Sequence, residues 1–228
     1  GEASGRRQCW KATLLLLGVA LLVAALARPQ FGAKVETIER EGQDIVIALD
    51  VSLSMLARDI QPNRLQKAKH AMSSLIDLSE GDRIGLIAFA GEAFVQCPLT
   101  LDKRAATMLL NTMGPDLIPV PGTALTSAMR KSLTLFPEKE QKHKVLILMT
   151  DGEGHTGEPL EAAKEAADQG VRIYTVGIGS TQGTPIPLLG PKERQKGFKK
   201  DGEGEVVMTR LDEITLREVA ELTGGKYY

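Results

Sequence analysis

The sequence predicts an α/β protein with a doubly wound, mainly parallel central sheet flanked by helices and preceded by one N-terminal transmembrane helix. Three observations predict this arrangement. Short strands that are apolar on both faces alternate with amphipathic stretches, which is the pattern of a parallel sheet covered on both sides. The 228 residues, 43% of them hydrophobic, can bury one substantial core. An uncharged run of sixteen residues stands ahead of these elements.

The uncharged run covers residues 12–27 and reads ATLLLLGVALLVAALA. As a helix it is about 24 Å long, slightly short of a hydrocarbon core of about 30 Å. Interfacial residues on both sides extend it, so we predict a basic flank over residues 1–11 and a transmembrane helix over residues 12–28. Basic residues lie mainly before the run, at Arg6, Arg7 and Lys11. By the positive-inside tendency, the N-terminal side is then cytoplasmic and the rest of the chain lies outside the cytoplasm.

Two other interpretations of this run remain open. Ala25-Leu26-Ala27 fits a signal-peptidase site, so the segment could be a cleaved signal peptide. It could also be a buried core helix. This is the least favoured of the three interpretations, because the run is apolar on every face and has basic residues on its flanks. The anchored and the cleaved forms both place the globular domain outside the cytoplasm.

After a charged connector over residues 29–41, strands and helices alternate to the end of the chain. Buried strands are predicted at residues 44–50, 83–90, 93–96, 144–151 and 171–179. Helices are predicted at residues 64–78, 103–113, 124–135, 159–169 and 216–223. Residues 180–205 are rich in Gly, Pro and Lys, which indicates a surface insertion that could form a hairpin. Residues 226–228 look like the opening of one more strand, so a single domain is predicted over residues 42–228.

The composition excludes several classes of function. With 28 basic and 29 acidic residues and a formal net charge of −1, the chain has no excess of positive charge for nucleic acid. Aromatic residues make up 4% of the chain, too few for platforms that stack bases. Its two cysteines, Cys9 and Cys97, cannot build a disulfide framework or a zinc site.

Oxygen-bearing side chains gather where predicted strands end. The first strand, DIVIALD, ends in Asp50, and Ser52 and Ser54 follow at alternate positions. The strand KVLILMTD ends in Asp151, and Thr123 closes the stiff loop PVPGT at the head of a predicted helix. Ligands of open parallel sheets bind beyond the carboxyl ends of the strands. If the two strands are neighbours, both carboxylates face one crevice.

Two carboxylates and three hydroxyls suit a hard divalent cation that prefers oxygen ligands, with Mg²⁺ as the natural choice. Two acids neutralise a doubly charged ion. If the hydroxyls supply most of the direct ligands, the ion stays electron-poor and can accept a carboxylate from another molecule. This chemistry predicts metal-mediated protein binding rather than hydrolysis, and no catalytic residue is assigned.

Three motifs resemble the metal-ion-dependent adhesion site of von Willebrand factor A domains. They are Asp50-x-Ser52-x-Ser54, Pro121-Gly122-Thr123 and Thr150-Asp151-Gly152, and the resemblance covers residues 42–228. It implies a doubly wound fold with Mg²⁺ or Mn²⁺ bound at the top of the sheet by Asp50, Ser52, Ser54, Thr123 and Asp151. It also implies that an acidic residue of a partner protein completes the metal shell. Leu53 departs from the commonest pattern, in which glycine is frequent between the serines.

Longer phrases are similar to the aerotolerance-type (Bat) membrane proteins of bacteria. They include ALARPQFG, PNRL and GDRIGLIAFAGEAFVQCPLT. This resemblance implies a periplasmic A domain held between membrane helices. It also implies related Bat proteins and a MoxR-type AAA+ ATPase system as associates.

Other functions compete with metal-dependent binding. A Mg²⁺-dependent phosphatase-like hydrolase could use Asp50 as nucleophile, but Ser52 stands where such enzymes usually place a second acid. A metal-free scaffold is the third alternative, in which these residues only cap turns, with Thr123 as the N-cap of its helix. Glu153 and His155 are predicted to lie in a solvated loop at the rim, and Cys97 to be a packed residue.

Overall fold

The computed structural model describes residues 2–26, 42–137, 142–153, 157–189 and 195–228 of the chain. Two units are distinguished within it, residues 1–39 and residues 40–228. The predicted connector at 29–41 lies wholly outside the described residues, as does the end of the predicted transmembrane helix.

The N-terminal unit contains one helix, α1, at Glu2–Leu26. It begins ten residues before the predicted start because residues 2–11 contain no proline to prevent helix formation. Its side chains from Trp10 to Val23 are exposed, Trp10 to 70%. Within the described part of the chain, no helix combines the length and the apolarity that a membrane crossing requires. The transmembrane helix at residues 12–28 therefore stays a prediction.

The second unit is built on a five-stranded sheet. Its strands are β1 (Asp44–Asp50), β2 (Arg83–Phe89), β3 (Ala93–Thr100), β4 (Lys144–Thr150) and β5 (Val171–Gly177). The order across the sheet is β3-β2-β1-β4-β5, and only β3 runs antiparallel to its neighbour. Tyr227 forms one further parallel bridge to β5, beside Thr175. The predicted mainly parallel sheet is confirmed, with β1 at its centre.

Helices cover both faces of this sheet. They are α2 (Arg64–Leu78), α3 (Lys103–Thr112), α4 (Leu125–Leu133), α5 (Pro159–Asp168) and α6 (Glu213–Leu222). All seven residues of β1 are buried, because its odd-numbered apolar residues pack with α2 and α3 and its even-numbered ones with α4, α5 and α6. Alternate side chains of one apolar strand thus fill two cores, as a doubly wound fold requires.

Side-chain caps set the helix boundaries. The Asn63 side chain accepts a hydrogen bond of 2.8 Å from the Gln66 amide and starts α2 at the predicted residue. Asp212 accepts bonds from the amides of Ile214 (3.1 Å) and Thr215 (3.3 Å), so α6 begins at Glu213 rather than at 216. This cap was not predicted from the sequence.

Between β5 and α6 the chain forms two small antiparallel pairs. Strand β6 (Thr184–Pro185) pairs with β9 (Met208–Thr209), and β7 (Pro187–Leu189) pairs with β8 (Gln195–Phe198). We call residues 184–189 and 195–209 the ribbon. It occupies most of the stretch predicted as an insertion at 180–205.

Candidate functional site

The two predicted carboxylates end neighbouring strands. Asp50 is the last residue of β1, and Asp151 directly follows β4, which pairs with β1 in parallel register. Both side chains are completely buried. The topology therefore brings Asp50 and Asp151 to the same edge of the sheet.

Asp50 is held by local donors. Its Oδ1 accepts a 2.8 Å hydrogen bond from the Ser52 amide, and its Oδ2 accepts a 2.6 Å bond from the Thr150 hydroxyl. Burial, and after it the negative charge of Asp151, raises the pKa of Asp50 to about 7. Two buried acids that repel each other in this way favour a cation between or beside them.

The two serines lie in a short 3-10 turn that follows β1. The amide of Met55 donates to the Ser52 carbonyl over 3.1 Å, and the two serine Oγ atoms are 2.8 Å apart. Ser52 is 7% exposed and Ser54 is half-buried. Leu53, between them, is 36% exposed. The turn thus brings two hydroxyl oxygens together and directs the intervening leucine outward.

Thr123 belongs to a loop that is fastened to the end of β2. The Ala124 amide donates to the Ala90 carbonyl over 2.6 Å, and the Gly91 amide donates to the Val120 carbonyl over 3.1 Å. A Cβ on Gly91 would lie 2.6 Å from a backbone oxygen of the loop, so only glycine permits this approach. Thr123 is 4% exposed and does not cap α4, whose N-cap residue is Ala124. The interpretation of Thr123 as a helix cap is therefore wrong.

A cleft of about 630 Å³ opens above these residues. Ser52, Ser54 and Thr123 line it, whereas the two carboxylates lie beneath the lining with no exposed surface. Hydroxyl-bearing residues therefore border the cleft, and the two carboxylates near them are completely buried.

Arg64, at the first position of α2, also belongs to this site and was not predicted from the sequence. Its guanidinium is completely buried, and its Nη1 donates to Asp151 Oδ2 over 2.9 Å and to the Thr209 hydroxyl over 3.2 Å. Its Nε and Nη2 donate to Asp59 over 2.9 and 2.8 Å. A Cβ on Gly179 would come within 2.6 Å of the Arg64 Cζ, so glycine is needed there. In the sequence, Pro62 and Asn63 indicate that a helix begins at Arg64, but they do not indicate that its guanidinium is buried against Asp151.

These contacts determine the charge of the site. Asp50, Asp59 and Asp151 with the Arg64 guanidinium leave two negative charges when all are ionised. Across the described residues, no group of three acidic, histidine or cysteine side chains converges on a point that could hold an ion. The cleft lining adds three hydroxyl-bearing residues to the two carboxylates. The residues fit a divalent cation that prefers oxygen.

The remaining candidates lie at the rim or in the core. Glu153 borders the cleft, and its Oε2 accepts a 3.1 Å hydrogen bond from the Arg210 amide. His155 lies outside the described residues. Cys97 is buried, and burial raises the pKa of its thiol, as expected for a packed residue rather than a nucleophile.

Comparison with known proteins identifies the family. Residues 45–153 match the von Willebrand factor type A domain. The conserved hypothetical protein BatB from Bacteroides thetaiotaomicron is 42% identical, with a TM-score of 0.78 over 82% of this chain and 89% of that chain. An aerotolerance-related membrane protein from Bacteroides fragilis, solved with multiple mutations to serines, is 41% identical, with a TM-score of 0.77 over 82% of this chain and 90% of that chain.

A UPF0353 protein from Nocardia farcinica is 28% identical over 232 residues, which cover 94% of this chain. This chain spans 65% of the length of that curated relative.

Proposed function

Because the chain belongs to the von Willebrand factor type A family and to its aerotolerance-related Bat group, we propose that it is an interaction module rather than an enzyme. In this proposal Asp50, Ser52, Ser54, Thr123 and Asp151 form a metal-ion-dependent adhesion site. The site binds Mg²⁺, or Mn²⁺ in its place, and an acidic residue of a partner protein completes the shell.

The observation that carries this proposal is the layering of the site. Three hydroxyl-bearing residues line the cleft, and the two carboxylates at the adjoining strand ends are completely buried and absent from the lining. Hydroxyls as direct ligands neutralise little of the ion's charge. Bound Mg²⁺ therefore supplies a strongly electron-poor position that favours a carboxylate from outside.

The arrangement of Asp50 disfavours the hydrolase alternative. A nucleophilic carboxylate must reach its substrate, but Asp50 has no exposed surface and both of its oxygens accept hydrogen bonds. Its buried position instead suits a residue that orients the Ser52 amide and stabilises the cation by its charge.

Attachment to the bacterial inner membrane is the second part of the proposal. We expect residues 12–28 to anchor the chain, with the A domain on the periplasmic side. The described side chains of α1 support this, since they present leucine and valine to the surroundings on every face of the helix. Related Bat proteins and a MoxR-type AAA+ ATPase system are the proposed partners. Protease added to spheroplasts should digest the A domain, and protection until the membrane is lysed would contradict this topology.

Titration of the purified chain with Mg²⁺ in a calorimeter tests the metal site. We expect the wild type to bind, and Ser52→Ala/Ser54→Ala to bind at least about 10-fold more weakly because two direct ligands are lost. Ser74→Ala, at an exposed position of α2, is the matched control and should bind normally. Equal Mg²⁺ affinity in all three proteins, or no heat with the wild type, would refute the site.

Capture of partners from detergent-solubilised membranes, with and without EDTA, tests the interaction. Partners should be retained by the wild type only while Mg²⁺ is present and should be lost with the double serine variant. Retention that is indifferent to the chelator would favour the metal-free scaffold.

A further inference from the structure

The ribbon forms part of the cleft next to the proposed metal site. Ile186, Lys199 and Val207 all line the cleft together with the hydroxyl residues. Resting on the function proposed above, we infer that the cleft recognises an extended segment of a partner protein that carries two acidic residues separated by apolar residues. One acid completes the metal shell, and the second pairs with Lys199.

Backbone hydrogen bonds hold the three ribbon residues side by side. The Lys199 amide donates to the Ile186 carbonyl over 2.8 Å, and the Val207 amide donates to the Lys199 carbonyl over 2.8 Å. The Ile186 amide donates in turn to the Val207 carbonyl over 3.3 Å. Three separate segments of the chain therefore meet at this point. The position of Lys199 along the cleft is consequently set by the fold rather than by a free loop.

Lys199 is a half-buried residue whose ammonium is not paired with an anion in the described part of the chain. Among the described residues its ammonium has neither a hydrogen-bond acceptor nor an ion-pair partner. Of the acids that border the cleft, Glu153 already accepts a bond from the Arg210 amide, and Asp116 is exposed. An ammonium without an ion-pair partner at the border of the cleft is positioned to pair with a carboxylate that a ligand brings.

Apolar side chains occupy much of the remaining lining. Leu53 and Val120 are 36% and 39% exposed and border the cleft, as do Ile186 and Val207. Because Leu53 lies between the two serines, it is placed to contact the residue next to the acid that reaches the metal. The lining thus favours an apolar residue at that point of the ligand.

The same lining disfavours a long acidic run. Asp116 and Glu153 add negative charge to the border of the cleft, so further acids on a ligand would be repelled. The chemistry that fits is an acid, one or more apolar residues and a second acid.

Fluorescence polarisation with the full chain in detergent and saturating Mg²⁺ tests this inference. The probes are labelled peptides of the form Gly-Gly-Asp-Leu-Glu-Gly-Gly, with one, two or three leucines between the acids. Matched peptides replace Glu by Gln, or the leucines by glycine. We expect at least one two-acid probe to bind about 10-fold more tightly than its Gln counterpart, which corresponds to about 1.4 kcal/mol.

Lys199→Glu should abolish this preference for the second acid, while calorimetric Mg²⁺ binding is retained. Lys200→Glu is the matched control, because it makes the same change of charge one residue away at an exposed position outside the cleft lining. Leu53→Gly should reduce the preference for leucine over glycine between the acids.

The outcomes separate the inference from the function on which it rests. If the wild type binds no Mg²⁺, the proposed metal site itself fails. If Mg²⁺ binds but no probe does, or the Gln peptides bind as well as the Glu peptides, the inference is overturned. Equal effects of Lys199→Glu and Lys200→Glu would overturn it as well.

Discussion

The buried residues next to the cleft, Asp50, Asp151 and Arg64, are called the floor here, and the partly exposed lining residues Leu53, Val120 and Lys199 are called the walls. Floor and walls differ in burial and in how many of their polar groups have hydrogen-bond partners. In the floor, Asp50, Asp151 and Arg64 have no exposed surface, and all four carboxylate oxygens of the two acids accept hydrogen bonds. In the walls, Leu53 and Val120 are partly exposed, and the Lys199 ammonium has no partner among the described residues. Such a floor suits a fixed ion, whereas incompletely satisfied walls suit a ligand that arrives from outside.

Removing the buried guanidinium of Arg64 from the floor should lower the free energy of unfolding more than any other change proposed here. Arg64→Met leaves Asp59 and Asp151 without their cation, and breaking a buried ion pair by deleting one partner typically costs about 3–5 kcal/mol. The free energy of unfolding in urea measures this loss. Arg130→Met is the control, because its ion pair with Glu165 is exposed and its removal should leave the unfolding midpoint nearly unchanged. Similar midpoints for both variants would show that the floor is not specially stabilised by Arg64.

Binding of Mg²⁺ should produce the second-largest change in the free energy of unfolding. Mg²⁺ at about 100 times its dissociation constant should add about 2.7 kcal/mol to the free energy of unfolding, because it binds only the folded site. Thermal unfolding with Mg²⁺ and with EDTA measures this gain, which should be about half as large or smaller in Ser52→Ala/Ser54→Ala because of its weaker binding. A shift of the same size in that variant would locate the ion elsewhere.

A single methyl group beside Arg64 should have an intermediate effect. Gly179 has φ +145°, and an added Cβ would meet the guanidinium at 2.6 Å. Gly179→Ala should therefore lower the free energy of unfolding by about 1–3 kcal/mol through backbone strain and displacement of Arg64. Gly170→Ala is a useful comparison, since it also has a positive φ but open space around its Cβ. If the two variants lose equal stability, crowding at Arg64 contributes nothing.

The smallest change in stability is expected in the wall. Leu53→Gly removes a side chain that is already 36% exposed, so the free energy of unfolding should fall by less than about 1 kcal/mol. Its Mg²⁺ affinity should match that of the wild type, because no oxygen ligand is changed. A large loss of Mg²⁺ binding would mean that floor and wall are not separate parts of the site.

The sequence by itself determined the sheet, the two helical layers and the positions of Asp50 and Asp151 at the ends of strands. These features follow from local patterns, since a strand apolar on both faces can only be buried and a polar residue that ends it must lie at the sheet edge. The start of α1, the cap of α6 and the residue that caps α4 needed the structure, because several nearby residues could have served at each boundary.

Only the tertiary structure decided the surroundings of the two acids. Arg64 and Asp151 are 87 residues apart in sequence, and Arg64 and Thr209 are 145 apart. No periodicity along the chain indicates that this arginine is buried or that Lys199 borders the same cleft as Ser52. Such contacts arise because the strand order and the ribbon bring together segments that are far apart in sequence. The local sequence of each segment does not indicate which other segment it will contact.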